Sequence, residues 1–230
     1  MVDLTTWDGL LRTYVDADGR VDYRSWLTRE PTILADWLAQ QSCETKGHQD
    51  HLAHWINLYN AFTIQAVLSR YPIASIRPKL LGLPNWIGFL RFFQQPVHRL
   101  GSQLISLAQI ENRTLREQSN DPRIHFAIVC ASLGCPLLRC EAYTPERVEQ
   151  QLEDDLVRFV NNPQKVRLDA DAGILHCSRI FQWYKADFLA AAPSIPAYIL
   201  PQLQGATALK TELRLAYLPY DWSLNQRMSS

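Results

Sequence analysis

Residues 51–70, HLAHWINLYNAFTIQAVLSR, are the most apolar long segment of the chain and contain neither proline nor glycine. Such a run reads as one buried helix. Two amides sit inside it: Asn57 and Asn60 lie three residues apart and share a face, as do Asn57 and Ala61. A buried amide without partners costs about 1–3 kcal/mol, so both need hydrogen bonds. The plainer expectation is that they staple the backbone of a neighbouring loop. The alternative gives them an active-site role.

The second constraint is RIHFAIVCASLGCPLL, residues 123–138, which follows the breaker pair Asp121-Pro122. Ile124 to Cys130 is apolar and partly β-branched, which predicts a buried strand. Ala131, Ser132 and Gly134 are small enough for a close turn. Cys135-Pro136 then resembles the start of a helix or a rigid turn. Cys135 is therefore expected at the end of a core strand, near unpaired backbone N–H groups that lower a thiol's pKa.

At 230 residues the chain has ample core and is expected to form one domain over 1–230. The 23 basic and 23 acidic residues balance, so no global charge favours a nucleic-acid or membrane partner, although a local patch remains open. Residues 1–19 carry Asp3, Asp8, Arg12 and Asp16 with no continuous apolar block, so neither a signal peptide nor an anchor is expected. No stretch approaches 18 uninterrupted apolar residues. Five cysteines without an export signal predict free thiols and a cytoplasmic location.

Helical spacing recurs at Leu4–Val15, at Tyr23–Gln40 with a break at Pro31, at Ser106–Gln118, from Thr144-Pro145 to Val160, and at Phe181–Ala192. Ser42–Gln49 reads as a loop, and the proline-broken Tyr71–Gln95 as an ordered connection that packs aromatics. Hairpins are expected around Leu100-Gly101-Ser102 and around Asp169–Ala172, with a last strand at Leu213–Leu218. Strands in hairpins flanked by helices predict an α+β fold with a small, largely antiparallel sheet.

For nucleophilic catalysis the chain offers a thiol, Cys135, and a base, His125, with Asn57 or Glu111 to orient it and His98 as a second candidate base. A strand advances about 3.3 Å per residue, so the turn at Ala131–Gly134 would have to fold Cys135 back toward His125. Otherwise His125 is a core histidine and the cysteines are small hydrophobes. Metal binding is not expected. Cys130, Cys135 and Cys140 lie five apart, outside zinc-pair spacing, and no Cys or carboxylate cluster joins His51 and His54 in sequence. Phosphate-loop and dinucleotide motifs are absent, and no cofactor is expected. Asp154 and Asp155 are adjacent on a helix and read as solvated surface.

The blocks WINLYNAFTI, RIHFAIVCASLGCPLL with EAYTPE, SRIFQWYKADF and YLPYDWSLN resemble the DUF547 family in order and spacing. VDYRSWL and SLAQIENRTLR fit as well, so the resemblance spans nearly the whole chain. Family members often carry His where Asn112 stands and a second Pro at Leu137; the first departure removes one possible general base. The resemblance implies a shared pocket built from Asn57, Asn60, Glu111, Arg123, His125, Cys130, Cys135, Pro136, Trp183, Tyr184, Asp221 and Trp222. By fold-level analogy it suggests papain-like or transglutaminase-like thiol enzymes. Two functions follow. One is a thiol-dependent hydrolase or acyltransferase acting on an amide or ester, with backbone N–H groups after Cys135 holding the oxyanion. The other is a non-catalytic protein-interaction or small-ligand-binding module. The partner in either case is an unknown small molecule or peptide, in an oligomeric state the sequence leaves open.

Overall fold

The computed structural model describes residues 4–42, 47–80, 83–206 and 213–227. The fold is α+β, with helices dominating. The apolar segment forms the helix His48–Leu68. It begins inside the stretch expected to be a loop, whose residues 43–46 lie outside the described residues. Leu52, Ile56, Leu58, Phe62 and Val67 on this helix are all buried. A helix apolar on every side has to be covered on every side. The helices Thr5–Tyr14, Tyr23–Arg29 and Ile33–Ala39 cover part of it, the last two separated at Pro31 as expected. Trp7 stacks on Trp37 with ring centroids 5.6 Å apart.

The expected hairpins form. His98–Leu100 pairs with Gln103–Ile105, and Val166–Asp169 pairs antiparallel with Ile174–Cys177. The last strand, Arg214–Tyr217, joins Ile174–Cys177 in parallel, making that three-stranded sheet mixed. Tyr71–Gln95 is more regular than expected: it carries a short pair, Lys79–Leu80 with Leu83–Pro84, and the helix Trp86–Gln94. The helix expected from Thr144 starts at Val148, after a turn over 145–147. Ser106 and Gln109 complete a reciprocal capping box, and the helix they open widens into a π-helix over Ile110–Arg116. Among the described residues, no helix is long and apolar enough to cross a membrane.

Ile124–Cys130 is not a strand. Ile124–Ala127 forms one turn of helix, and the chain becomes extended at Ile128. A short apolar run does not distinguish buried helix from buried strand. Here the decision falls to Asn60, whose side chain donates to Ala127 O and accepts from Val129 N, both at 2.9 Å. These bonds replace the ladder a sheet would have supplied.

Buried side chains form two clusters, and this helical turn lies between them. Ile124, Ala127, Ile128 and Val129 pack into the larger one, with the helix His48–Leu68. Phe126 packs into the smaller one, with Phe159, Phe181 and Phe188. Asp155 is also not surface. It is buried, receives Arg139 at 2.9 Å and Arg158 at 2.7 Å, and accepts the Tyr143 hydroxyl at 2.6 Å. Asp154 is half exposed as expected.

Candidate functional site

The site lies at the seam between the two clusters, and His125 is its centre. Its Nε2 is 2.7 Å from Asp187 Oδ2, on the helix Lys185–Ala191. Asp187 is held ionised below the usual carboxylate range, first by hydrogen bonds from Arg116 at 2.7 and 2.9 Å. A carboxylate only accepts, so Nε2 carries the proton and Nδ1 keeps its lone pair. Nδ1 is buried and has no hydrogen-bond partner. Burial pushes the imidazole's pKa down to about 4, against the opposing pull of Asp187, so the ring is neutral near pH 7.

The ring lies flat on Tyr184, centroids 3.8 Å apart and planes 20° apart. The Tyr184 hydroxyl donates to Glu111 Oε1 at 2.5 Å, and the Tyr59 hydroxyl to Oε2 at 3.3 Å. Glu111 comes from the π-helix, a form often found where a side chain is re-aimed at a site. Burial raises its pKa, although the two tyrosine bonds oppose the shift. Glu111 thus connects to His125 only through Tyr184.

Cys130 and Cys135 are paired as a disulfide, with Cα atoms 6.3 Å apart. The expectation of free thiols is corrected for these two; Cys140 and Cys177 are free, and Cys43 lies outside the described residues. Around the Cys135 sulfur stand the Cys130 N–H at 3.0 Å, the Tyr220 hydroxyl at 3.1 Å and the Ser132 hydroxyl at 3.5 Å. The loop is tightly specified. Ala131 adopts a left-handed φ of 62°, and a Cβ on Gly134 would come within 2.7 Å of the Tyr220 ring. Leu133 N and Gly134 N donate to Ser223 O and Asp221 O, so residues 221–223 fasten the loop. No helix follows Cys135-Pro136. The Cys135 N–H donates to Ser132 O and Pro136 has no N–H, so of the backbone after the cysteine the first N–H is that of Leu137.

A cavity of about 440 Å³ joins these groups. His125, Glu111, Cys130 and Cys135 line it, and Phe89, Phe93, Trp183 and Trp222 supply an aromatic wall. The loop does bring Cys135 to the cavity of His125, but neither sulfur hydrogen-bonds to the imidazole, whose Nδ1 has no partner. Cys135, Pro136 and Tyr220 also line a second cavity of about 540 Å³, together with Arg20, Asp221 and Lys165. Burial lowers the Lys165 pKa to about 8, and its ammonium donates to Leu133 O at 2.6 Å.

The other candidates go elsewhere. Asn57 accepts from Trp7 Nε1 at 3.1 Å and from Tyr143 N at 3.0 Å, and donates to Tyr143 O at 2.8 Å. It does not line the cavity, and the group that orients His125 is Asp187. Both helix amides therefore fasten loops, as the plainer expectation had it. His98 packs on Phe62 at 4.7 Å, away from the cavity lining. His51 and His54 contact the backbone carbonyls of Thr114 and Ser42. Asn112 is exposed and pairs with Arg116. Asp187 and Tyr220 were the residues sequence reasoning missed. Both stand inside the recognised blocks SRIFQWYKADF and YLPYDWSLN, but nothing local marks either as reactive.

A family model described as "Protein of unknown function, DUF547" matches residues 43–160. That range holds Glu111, His125 and both paired cysteines, but not Asp187 or Tyr220. No curated protein and no solved structure matches the chain.

Proposed function

This chain belongs to the DUF547 family, and from that premise we propose that it is a thiol-dependent hydrolase or acyltransferase acting on the amide or ester of an apolar acyl group. The observation that carries this reading is the neutral His125. Its Nε2 is tied to Asp187 and its buried Nδ1 has no partner, and the residue lines a cavity that two cysteines also line. A base oriented by a third group beside a thiol is what nucleophilic catalysis needs.

The working form is the dithiol, reached when a thiol reductant opens the Cys130–Cys135 bond; a reducing compartment such as the cytoplasm would keep it so. Cys135 is the nucleophile, because the N–H of Cys130 and the hydroxyls of Tyr220 and Ser132 surround its sulfur and favour the thiolate. In the reaction its proton passes to His125 Nδ1 as sulfur bonds to the carbonyl carbon. The C–N or C–O bond breaks, and the imidazolium returns the proton to the leaving amine or alcohol. Water, or a second amine or alcohol, then attacks the thioester and restores the thiol. Asp187 offsets the charge of the imidazolium, and Glu111 holds Tyr184 beneath the ring.

A non-catalytic ligand-binding module is favoured by one observation, an unengaged Nδ1 and paired sulfurs in residues that line one cavity. Iodoacetamide labelling separates the two. After reduction, Cys135 should be alkylated well below pH 8, and His125→Ala should abolish that selectivity. Uniformly slow labelling of Cys135, with or without His125, would leave the binding module.

A further inference from the structure

Between Asp50 and Glu111 the chain has no acidic residue, yet this stretch contains Arg70, Arg77, Lys79, Arg91 and Arg99. A chain with no net charge therefore concentrates positive charge in one segment. The same segment holds most of the large apolar side chains left in water: Leu83, Trp86, Ile87, Leu90, Val97 and Leu104, against Leu27, Ile33, Trp183 and Leu189 elsewhere among the described residues.

The helix Trp86–Gln94 is the clearest part. Phe92 is buried, and Trp86, Phe89, Leu90 and Phe93 line the aromatic cavity, while Ile87 points away from it. Trp86, Ile87 and Leu90 are 55%, 72% and 45% exposed, and Arg91 beside them is exposed as well. Arg77 lies over the Trp86 ring, 5.4 Å from its centroid. On the adjoining hairpin, Arg99 stands opposite Leu104, so a cation and an exposed leucine share one face there too. A helix whose exposed apolar residues stand at the rim of the cavity, edged with arginines, has the make-up of a helix lying in a membrane interface. Asp221 lines a pocket together with Arg77, but Arg91 and Arg99 add to the positive charge of this edge, and the net sign selects the lipid: an anionic surface attracts it and a neutral one does not.

We propose that the helix Trp86–Gln94, with the hairpin His98–Ile105, is a peripheral docking surface for an anionic lipid bilayer. Trp86, Ile87 and Leu90 enter the interface, and Arg77, Arg91 and Arg99 meet the headgroups. Lipid binding so read does not depend on the thiol chemistry. The docked helix also walls the cavity through Trp86, Phe89, Leu90 and Phe93, so docking sets the cavity mouth at the bilayer.

The test is sedimentation of the full chain with vesicles of phosphatidylcholine alone or of phosphatidylcholine mixed with phosphatidylglycerol. The protein should pellet with the mixed vesicles only, and added salt should release it. Cys135→Ser should bind as the unsubstituted chain does. Ile87→Asp with Leu90→Asp should lose binding. Arg91→Gln and Arg99→Gln, both at exposed positions, should each weaken binding about five-fold and roughly twenty-five-fold together. Failure to pellet, or equal binding to neutral vesicles, would overturn the proposal. So would a concentration-dependent dimer that Ile87→Asp with Leu90→Asp dissociates, because a second copy would then cover this face.

Discussion

His125 Nε2 and Asp187 Oδ2 stand 2.7 Å apart across 62 positions of sequence, and this one bond decides which imidazole nitrogen carries the proton. Asp187→Asn replaces an acceptor-only group with one that also donates, so the Nε2 proton is no longer assured. The expected result is a fall of about 10²–10⁴ in the Cys135 alkylation rate after reduction. Far-UV circular dichroism should be unchanged, and the pH profile of alkylation should move toward that of a free thiol. An unaltered profile would detach Asp187 from the chemistry.

Gly134 and Tyr220 make a second close relationship. A methyl at residue 134 would meet the Tyr220 ring at 2.7 Å, and Tyr220 is one of the groups against the Cys135 sulfur. Gly134→Ala is expected to cost about 1–3 kcal/mol in urea unfolding. It should also slow Cys135 alkylation, because relief of the clash requires the ring to withdraw. Tyr220→Phe should slow alkylation without that loss of stability.

The two helix amides allow a controlled comparison. Asn57→Leu and Asn60→Leu each strip partners from buried backbone, at about 1–3 kcal/mol for every orphaned group. Asn57 holds Tyr143, and Asn60 holds Ala127 and Val129 next to His125. Thermal melts should show both variants destabilised. Thiol reactivity per folded molecule should drop only for Asn60→Leu. An unchanged melting temperature for Asn57→Leu would remove its role as a staple.

Acid should weaken the fold through buried imidazoles. Burial lowers the folded-state pKa of His125 and of His98 to about 4, from 6.5. Below 6.5 the unfolded chain takes up protons that the folded chain refuses. Stability from these groups is therefore complete above 6.5 and declines as pH falls toward 4. At about pH 5 the loss is on the order of 2 kcal/mol per histidine. Urea midpoints at pH 7 and pH 5 measure it, and His98→Phe should recover part of the difference.

Much of the scaffold was legible because periodicity reports burial. The helices at Leu4–Val15 and His51–Arg70 and both longer hairpins emerged within a few residues of where they form. Ile124–Cys130 did not, because a short apolar run is silent on its backbone and Asn60, more than sixty residues upstream, settles the question. Asp155 looked solvated beside Asp154; only the arrival of Arg139, Arg158 and Tyr143 makes its burial tolerable. In the site, Cys135, His125 and Glu111 could be nominated by residue type and local context. Asp187 could not, since an aspartate in the first turn of a helix is ordinary and its importance comes from Arg116 and His125. The Cys130–Cys135 pairing was likewise hidden, because five-residue spacing allows a bond only if the loop doubles back.

The backbone carbonyls of Asp221 and Ser223 hold the loop that contains Cys135, and Tyr220 reaches Cys130 across 90 positions. During synthesis those residues leave the ribosome long after both cysteines have emerged. For that interval the nascent polypeptide carries two sulfurs with no tyrosine against them and no clasp on their turn. The surroundings of the two sulfurs are therefore completed only once residues 220–223 have emerged and folded back onto the loop.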